Sequence, residues 1–373
     1  MQKKYISIGL MSGTSGDGVD ASVISSNGVD KYESIKNKYY QYDDEVYNKI
    51  HDLKDQINST QDLKKNSSKI SDLERKITLF HAKIIKNLNL NEDNPLIGFH
   101  GQTIYHNAKE KISKQLGDAK LLFQLTKKKI IFNFRYNDIQ NGGEGAPLTP
   151  IFHKLIVAQK KINLPACILN IGGISNVTIV KNINGTNQLY SKDVGPGNCL
   201  IDSWVRKNSG KKFDYNGSLA SNGSLNEIIL EQAQELYFNR TIKDKLSLDV
   251  NDFDVSFARG LSLEDGSKTL TEFTASIISE SLLNYFKNLK IQIKDILICG
   301  GGRKNKILIE SIKNKLSPNL NLKLIDDHKV DGDFVESQAF AFLAIRSYLK
   351  LPITFPSTTG CNKPCLGGDL IQN

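Results

Sequence analysis

GLMSGTSGDGVDAS, residues 9–22, is a turn rich in Gly, Ser and Thr between two apolar runs, KYISIGL (4–10) and VDASVIS (19–25). The runs read as β-strands and the small residues between them as the connection of a hairpin. Glycine tolerates φ > 0 and lets backbone N–H groups close on a ligand, so such a turn can form a nest for an anion. No Lys follows the glycines, which excludes a Walker A loop. Asn27-Gly28 marks a second tight turn before YESIKNKYYQY, predicting a three-stranded antiparallel start.

Further along, residues 44–89 are mostly helical in pattern, with Leu73, Ile77, Phe80 and Ile84 at spacings of four and three, and LIGFH (96–100) resumes a strand. After a Gly-rich loop at 142–147 and a helix near 150–160, the opening pattern restarts. ACILNIGGISNVTIV (166–180) again joins two β-runs by a glycine turn, and Asn184-Gly185 precedes a third run, QLYSKDVG. Helical stretches are expected at 198–208, 223–238, 268–289 and 336–349. DILICGGGRKN (295–305) is a strand running into glycines and then a helix. The two halves share an order of elements but not a sequence, and a chain of 373 residues exceeds the usual single core. Two domains are therefore expected: residues 1–135 with 350–373, and residues 136–349.

Composition excludes several classes. With 39% hydrophobic and 24% charged residues and no apolar run of spanning length, the chain reads as globular and not membrane-bound. Gly9 and the polar turn cut the N-terminal apolar stretch short of a secretory signal. The net charge of +9 comes mostly from Lys scattered among Asn and Asp, without the aromatic-interleaved stripe of a nucleic-acid surface. Of five cysteines (167, 199, 299, 361 and 365), three lie in apolar segments, the pattern of reduced core thiols in a cytoplasmic protein. Cys361 and Cys365 have no partner pair of Cys or His at zinc-finger spacing, so no metal site is expected there.

Three β-runs end in glycine-rich turns: Gly9 to Gly18, Gly172-Gly173 and Gly300-Gly301-Gly302. One such turn is often only a tight connection. Three in one chain point to a bound nucleotide, and the first adds Ser12, Thr14, Ser15 and Asp17 as hydroxyls for phosphate and a carboxylate for Mg²⁺.

Together, MSGTSGDGVD, FHGQTIYH, QLGD, FRYNDIQNGGEGAPLTP, LNIGGISN, DVGPGNCLID and ICGGGRKN, spread from residue 9 to about 368, resemble the anhydro-N-acetylmuramic acid kinase family. The resemblance implies an α/β, two-domain actin-like ATPase (ribonuclease H-like) fold with a nucleotide cleft between the domains. It implies ATP and Mg²⁺ as cofactors. Gly13, Thr14, Ser15, Gly16, Asp17, Gly18, Val19 and Asp20 would form the first phosphate turn, Asp17 being the metal ligand. Gly172, Gly173 and Asn176 would form the second, and Gly300, Gly301, Gly302 and Asn305 the adenosine side. The family's reaction adds water to 1,6-anhydro-N-acetylmuramic acid and transfers the γ-phosphoryl of ATP, giving N-acetylmuramic acid 6-phosphate and ADP. A cytoplasmic homodimer is the expected form, with no nucleic-acid or membrane partner.

By the same resemblance Asp193, in KDVGPGN, is the catalytic base; an Asx-turn or a helix cap for 198–208 would also explain it. His100, Gln102 and Thr103 of FHGQTIYH fall in the family's substrate loop, where His106 reads as structural or sugar-binding. Arg135 offers a bidentate fork for the lactyl carboxylate of the sugar, or an ion pair with Asp138. Glu336 opens the last helix, where a carboxylate suits the helix dipole, and its family position also suggests sugar binding. The chain departs from the family at YFNRTIKDKLSLDVNDF (237–253), which lacks the usual prolines but keeps Lys245 and Ser247. A kinase for another sugar or small acid, and an actin-like or chaperone-like ATPase, are the competing readings.

Overall fold

The structure, a computed structural model, describes residues 3–90, 94–183, 185–239 and 246–372. The described chain forms two compact units, Met1–Lys161 with Phe334–Asn373, and Ile162–Asp333.

In the first unit β1 (Tyr5–Ser12), β2 (Gly18–Ser26) and β3 (Tyr32–Gln41) form the expected antiparallel meander. The helical stretch that follows is divided into α1 (Asp44–Gln56), α2 (Thr60–Lys65) and α3 (Ser67–Asn87). Asp43 caps α1 by accepting from Val46 N–H, and Ser59 caps α2 by accepting from Asp62 N–H. Next come β4 (Leu96–Asn107), β5 (Ile112–Leu116), α4 (Ala119–Thr126), β6 (Ile130–Phe132), α5 (Tyr136–Gln140) and α6 (Pro150–Gln159). β4 lies parallel to β1, β6 parallel to β4, and β5 folds back on β4.

The second unit repeats the scheme. β7 (Ala166–Ile171), β8 (Ile174–Ile183) and β9 (Thr186–Pro196) are antiparallel neighbours. They are followed by α7 (Cys199–Asn208), α8 (Ser218–Asn222), α9 (Glu227–Phe238) and α10 (Leu263–Asn288), then β10 (Asp295–Cys299), α11 (Lys306–Lys315) and β11 (Asn321–Leu324). The chain then re-enters the first unit with α12 (Val335–Tyr348), α13 (Pro356–Thr359) and β12 (Asp369–Ile371).

The sheet orders are β12-β6-β4-β1-β2-β3, with β5 on β4, and β11-β10-β7-β8-β9. Each is a three-stranded meander whose first strand is extended by parallel strands, the duplicated ribonuclease H-like topology of the actin-like ATPase fold. The cores follow from the pattern: Ile8, Leu10, Val19, Ala21 and Val23 meet Ile50, Leu73 and Ile77, while Leu169, Ile171, Val177 and Ile179 meet Ile278, Leu282 and Leu308.

The unit boundaries differ from those expected. Residues 136–161 and 334–349, assigned by sequence to the second domain, pack in the first unit. The cause is α12, which lies on β1, β2 and β4. Gly9 and Gly98 are register partners on β1 and β4, and a Cβ on either would overlap a carbonyl oxygen of α12, that of Ser337 or Phe340. The paired glycines let the helix backbone sit directly on the sheet. The stretch 223–238 begins as loop, Asn226 capping α9, and α10 starts earlier than expected because Ser262 caps it.

Candidate functional site

In the first unit the turn after β1 is built around Gly16, whose φ of 62° favours glycine. Ser12 Oγ lies 2.7 Å from Gln102 Oε1 and 2.9 Å from the Gly18 carbonyl, and Gln102 Nε2 donates to the Gly13 carbonyl at 2.9 Å. Gln102 is fully buried. Its amide is thus engaged in fixing the turn after β1. Tyr42 N–H donates to the Asp17 carbonyl at 2.9 Å, and the buried Tyr42 hydroxyl lies 3.2 Å from Ser12 Oγ.

The Asp17 carboxylate accepts from Ser15 Oγ and from Tyr39. Burial, then the adjacent Asp17, pushes the Tyr39 phenol well up, so it stays a donor. Thr14 is exposed, and a Cβ at Gly13 would meet only Ser15 Oγ, at 3.9 Å. Backbone and carboxylate there are open to an anion and its counter-ion, so the donor set fits phosphate and Mg²⁺. The Val19 side chain is buried in the core, leaving only its backbone for any ligand. Asp20 pairs with Met11 and Tyr39 in the sheet.

His100 sits where the β1–β4 register slips: Leu10 opposes Phe99 and Met11 opposes Gly101, so His100 is the extra residue of a bulge. Bulges re-aim side chains. Gly101 takes φ 74°, and its Cβ would overlap the Leu116 carbonyl. The expected substrate loop is therefore strand, since β4 continues to Asn107 and carries Thr103 beside Gln115. The His100 ring hydrogen-bonds the Gly101 carbonyl through Nδ1 (2.7 Å) and the Arg135 guanidinium through Nε2 (2.9 Å). Arg135 is donor only, so Nε2 accepts and Nδ1 carries the proton. Burial, and then Arg135, push the His100 pKa well below 6.5.

Arg135 also donates to the Gly145 carbonyl at 2.8 Å, and Gly145 N–H donates to the Asp138 carboxylate at 2.7 Å. His106 lies 2.9 Å from Ser113 Oγ, with its pKa lowered to about 4, by burial first and Arg135 second. His100 and Arg135 thus come together directly. Glu336 stands in the first turn of α12, half-buried.

In the second unit Asp193 is nearly buried, 6% exposed. It precedes a bulge at Val194, because Asn176 pairs with Asp193 while Ser175 pairs with Gly195. Its N–H donates to the Leu246 carbonyl and its Oδ2 accepts from Leu248 N–H, both at 2.8 Å. It does not cap α7: the cap residue there is Asn198. The clasping strip lies within the stretch that departs from the family pattern. Lys245 lies outside the described residues; Ser247 is buried.

The Gly172 and Gly173 carbonyls accept from the N–H groups of Asn198, Gly197 and Cys199, which tie the second turn to the start of α7. Asn176 Oδ1 is buried without a hydrogen-bond partner, an acceptor suited to a ligand hydroxyl or bound water. Gly300 (φ 83°) and Gly302 have no room for a Cβ against Asn170 and Ile171, whereas a Cβ on Gly301 would point into open space. Asn305 caps α11, accepting from Leu308 N–H at 3.1 Å. That cap accounts for it without a ligand.

Several supporting groups were not singled out in the sequence. His51 Nε2 lies 2.9 Å from the Ser15 carbonyl and Lys54 Nζ donates to the Thr14 carbonyl at 2.7 Å, bringing α1 onto the turn. Arg303 binds Asp326 (3.1 Å), Asp333 (2.6 Å) and the Gly300 carbonyl (3.1 Å). Their only signal was helical or turn position next to the motifs.

The family model for anhydro-N-acetylmuramic acid kinase matches residues 4–373. A protein of that name from Pelagibacter ubique is 55% identical, covering 100% of both chains. One from Gluconobacter oxydans is 34% identical over 97% of this chain and 98% of its own. Among solved structures, the ADPNP-bound activator of 2-hydroxyisocaproyl-CoA dehydratase from Clostridium difficile matches with TM-score 0.39 and 11% identity, over 94% of this chain and 96% of that one. No described helix is long and apolar enough to cross a membrane. Matched from end to end by the family model and by relatives of one name, the chain is a kinase and belongs to the anhydro-N-acetylmuramic acid kinase family.

Proposed function

We propose that the chain converts 1,6-anhydro-N-acetylmuramic acid, ATP and water into N-acetylmuramic acid 6-phosphate and ADP, in the cytoplasm, as a step of peptidoglycan recycling. The observation that carries this reading is the 55% identity over the full length of both chains to a relative of that name. The residues present are chemically suited to it.

In the anhydro sugar O6 is bonded to C1, so the acceptor oxygen is freed only as the bridge opens. Asp193 is assigned the proton of the attacking water. As the water oxygen bonds to C1, the C1–O6 bond breaks, and O6 attacks the γ-phosphorus in line while ADP leaves. One displacement at C1 inverts its configuration. The Leu248 N–H on Oδ2 and the bulge at Val194 hold the carboxylate in place. Neutral His100, Thr103, Arg135 and Glu336 are assigned to the sugar, Arg135 to its lactyl carboxylate. Gln102 supports the phosphate turn instead.

Residues 13–20, Gly172, Gly173, Asn176 and Gly300–Gly302 are assigned to ATP. Mg²⁺ bound with ATP would neutralise charge on the phosphoryl oxygens, and Asp17 is the carboxylate that would hold it, directly or through water. The homodimer belongs to the same reading, and sedimentation across a concentration series tests it.

Incubation with the anhydro sugar and MgATP in H₂¹⁸O, read by mass spectrometry, tests the reaction. Label at C1 and none in the transferred phosphate is expected. Label in the phosphate, or ADP formed without sugar phosphate, overturns it.

A further inference from the structure

The tail of the first unit brings two cysteines, four residues apart, to a carboxylate more than two hundred residues earlier in the chain. Asp138, Cys361 and Cys365 are 1%, 1% and 2% exposed, and a carboxylate oxygen and the two sulfurs lie within 4.8 Å of one another. Both sulfurs also lie 3.1 Å from one oxygen, the Lys363 carbonyl. We propose that this cluster is a binding site for a thiophilic divalent cation of the zinc type, with Asp138, Cys361 and Cys365 as ligands and the Lys363 carbonyl as the fourth donor.

Two thiolates and a carboxylate are a recognised donor set for such a cation. With metal–ligand bonds of about 2.0–2.3 Å, the edges of a tetrahedron measure roughly 3.3–3.8 Å. The donors lie within 4.8 Å of one another, so small side-chain movements bring them to that separation without refolding. The backbone holds them there. Asn362 N–H donates to the Asn141 carbonyl at 3.0 Å and Glu144 N–H to the Thr359 carbonyl at 2.8 Å, stapling the tail to the segment after α5. Cys365 N–H donates to the Thr354 carbonyl at 3.0 Å. Gly143 has no room for a Cβ against the Asp138 carboxylate, so that carboxylate is packed from behind by backbone.

The Asp138 carboxylate accepts from Gly145 N–H and Thr359 Oγ1, both at 2.7 Å, one bond to each oxygen, which leaves further acceptor capacity on each. A cysteine binds such a cation as its thiolate. Binding therefore exchanges two protons for one cation: each S–H releases H⁺ to solvent as a sulfur–metal bond forms, with no change of oxidation state. Losing the two S–H groups also frees the Lys363 carbonyl to turn to the cation.

The test uses the full-length, reduced protein treated with chelator, then titrated with Co²⁺ or Cd²⁺ alone. A sulfur-to-metal charge-transfer band saturating at one equivalent, with two protons released, is expected. The band should be lost in C361S/C365S, and Asp138→Asn should weaken binding by at least about tenfold. X-ray absorption of the wild-type Cd²⁺ complex needs no variant and should show two sulfur neighbours with oxygen completing the shell. No band in the wild type, a band surviving C361S/C365S, or a shell without sulfur overturns the site.

Discussion

Asp193 shows how a carboxylate is positioned by backbone: a bulge aims it and the Leu248 N–H donates to its Oδ2. Asparagine keeps an acceptor for Leu248 but cannot take a proton from water. Asp193→Asn should therefore leave the melting curve and ligand binding near wild type while product formation falls by roughly 10²–10⁴-fold. Loss of binding in step with turnover would assign Asp193 to architecture instead. The glycine triplet offers a second separation of roles. Gly301 faces open space and its φ is not positive, so Gly301→Ala should cost little stability yet raise KM for ATP if the backbone there approaches the nucleotide. Gly302→Ala would drive a methyl group into Ile171 and should destabilise by about 1–3 kcal/mol. Equal behaviour of the two in urea melts and ATP kinetics would remove the distinction. The motifs pointed to Asp193 and the glycines, but the jobs of Gln102 and Asn305 could not be read. Partners such as Ser12 and Gly13 for Gln102 exist only once β1 and β4 are side by side.

At the scale of elements, periodicity was a good guide where an element is amphipathic on its own. The meander of β1 to β3 and its repeat in β7 to β9 were legible because alternation and Asn-Gly turns are local signals. The length of β4 was not, since Gly101 reads as a strand end but serves as the pivot of a bulge. The placement of α12 was not legible either. Its residues are buried almost all round, so no face pointed to one domain, and what decides its seat is a pair of glycines on strands far away in sequence. Those glycines can be probed. Gly9→Ala places a Cβ on the Ser337 carbonyl, and a helix backbone cannot yield as a flexible side chain can. The variant should lose stability at or above the upper end of about 1–3 kcal/mol, seen as a lower urea midpoint with an unchanged m-value. A midpoint within error of wild type would mean that α12 is not seated by backbone contact. The same long-range logic hid the Asp138 cluster, whose third donor is brought to Cys361 and Cys365 by tertiary packing alone.

For the whole molecule the most consequential feature is where its histidines are. Five of the six lie in the first unit, and four of these (His81, His100, His106 and His153) have their pKa lowered primarily by burial: to about 4 for His81 and His106, to about 3 for His153, and well below 6.5 for His100. Each is neutral when folded near pH 6 and takes up a proton when the chain unfolds. The unfolded state then binds more protons, so stability rises with pH and falls as pH drops through about 6.5 towards the folded values. With one proton worth about 1.4 kcal/mol per pH unit, four give a limiting slope of about 5 kcal/mol per unit. A domain is commonly stable by only about 5–15 kcal/mol, so the first unit should unfold in mild acid, before most carboxylates titrate. Urea titrations between about pH 7 and pH 5 should show the midpoint falling steeply, with proton uptake on unfolding approaching four. His153→Gln, which removes one titrating group at a fully buried position, should shift absolute stability and also reduce that uptake by one. Stability that is flat down to pH 5 would mean the histidines charge within the folded unit, and an unchanged slope in His153→Gln would take His153 out of the set.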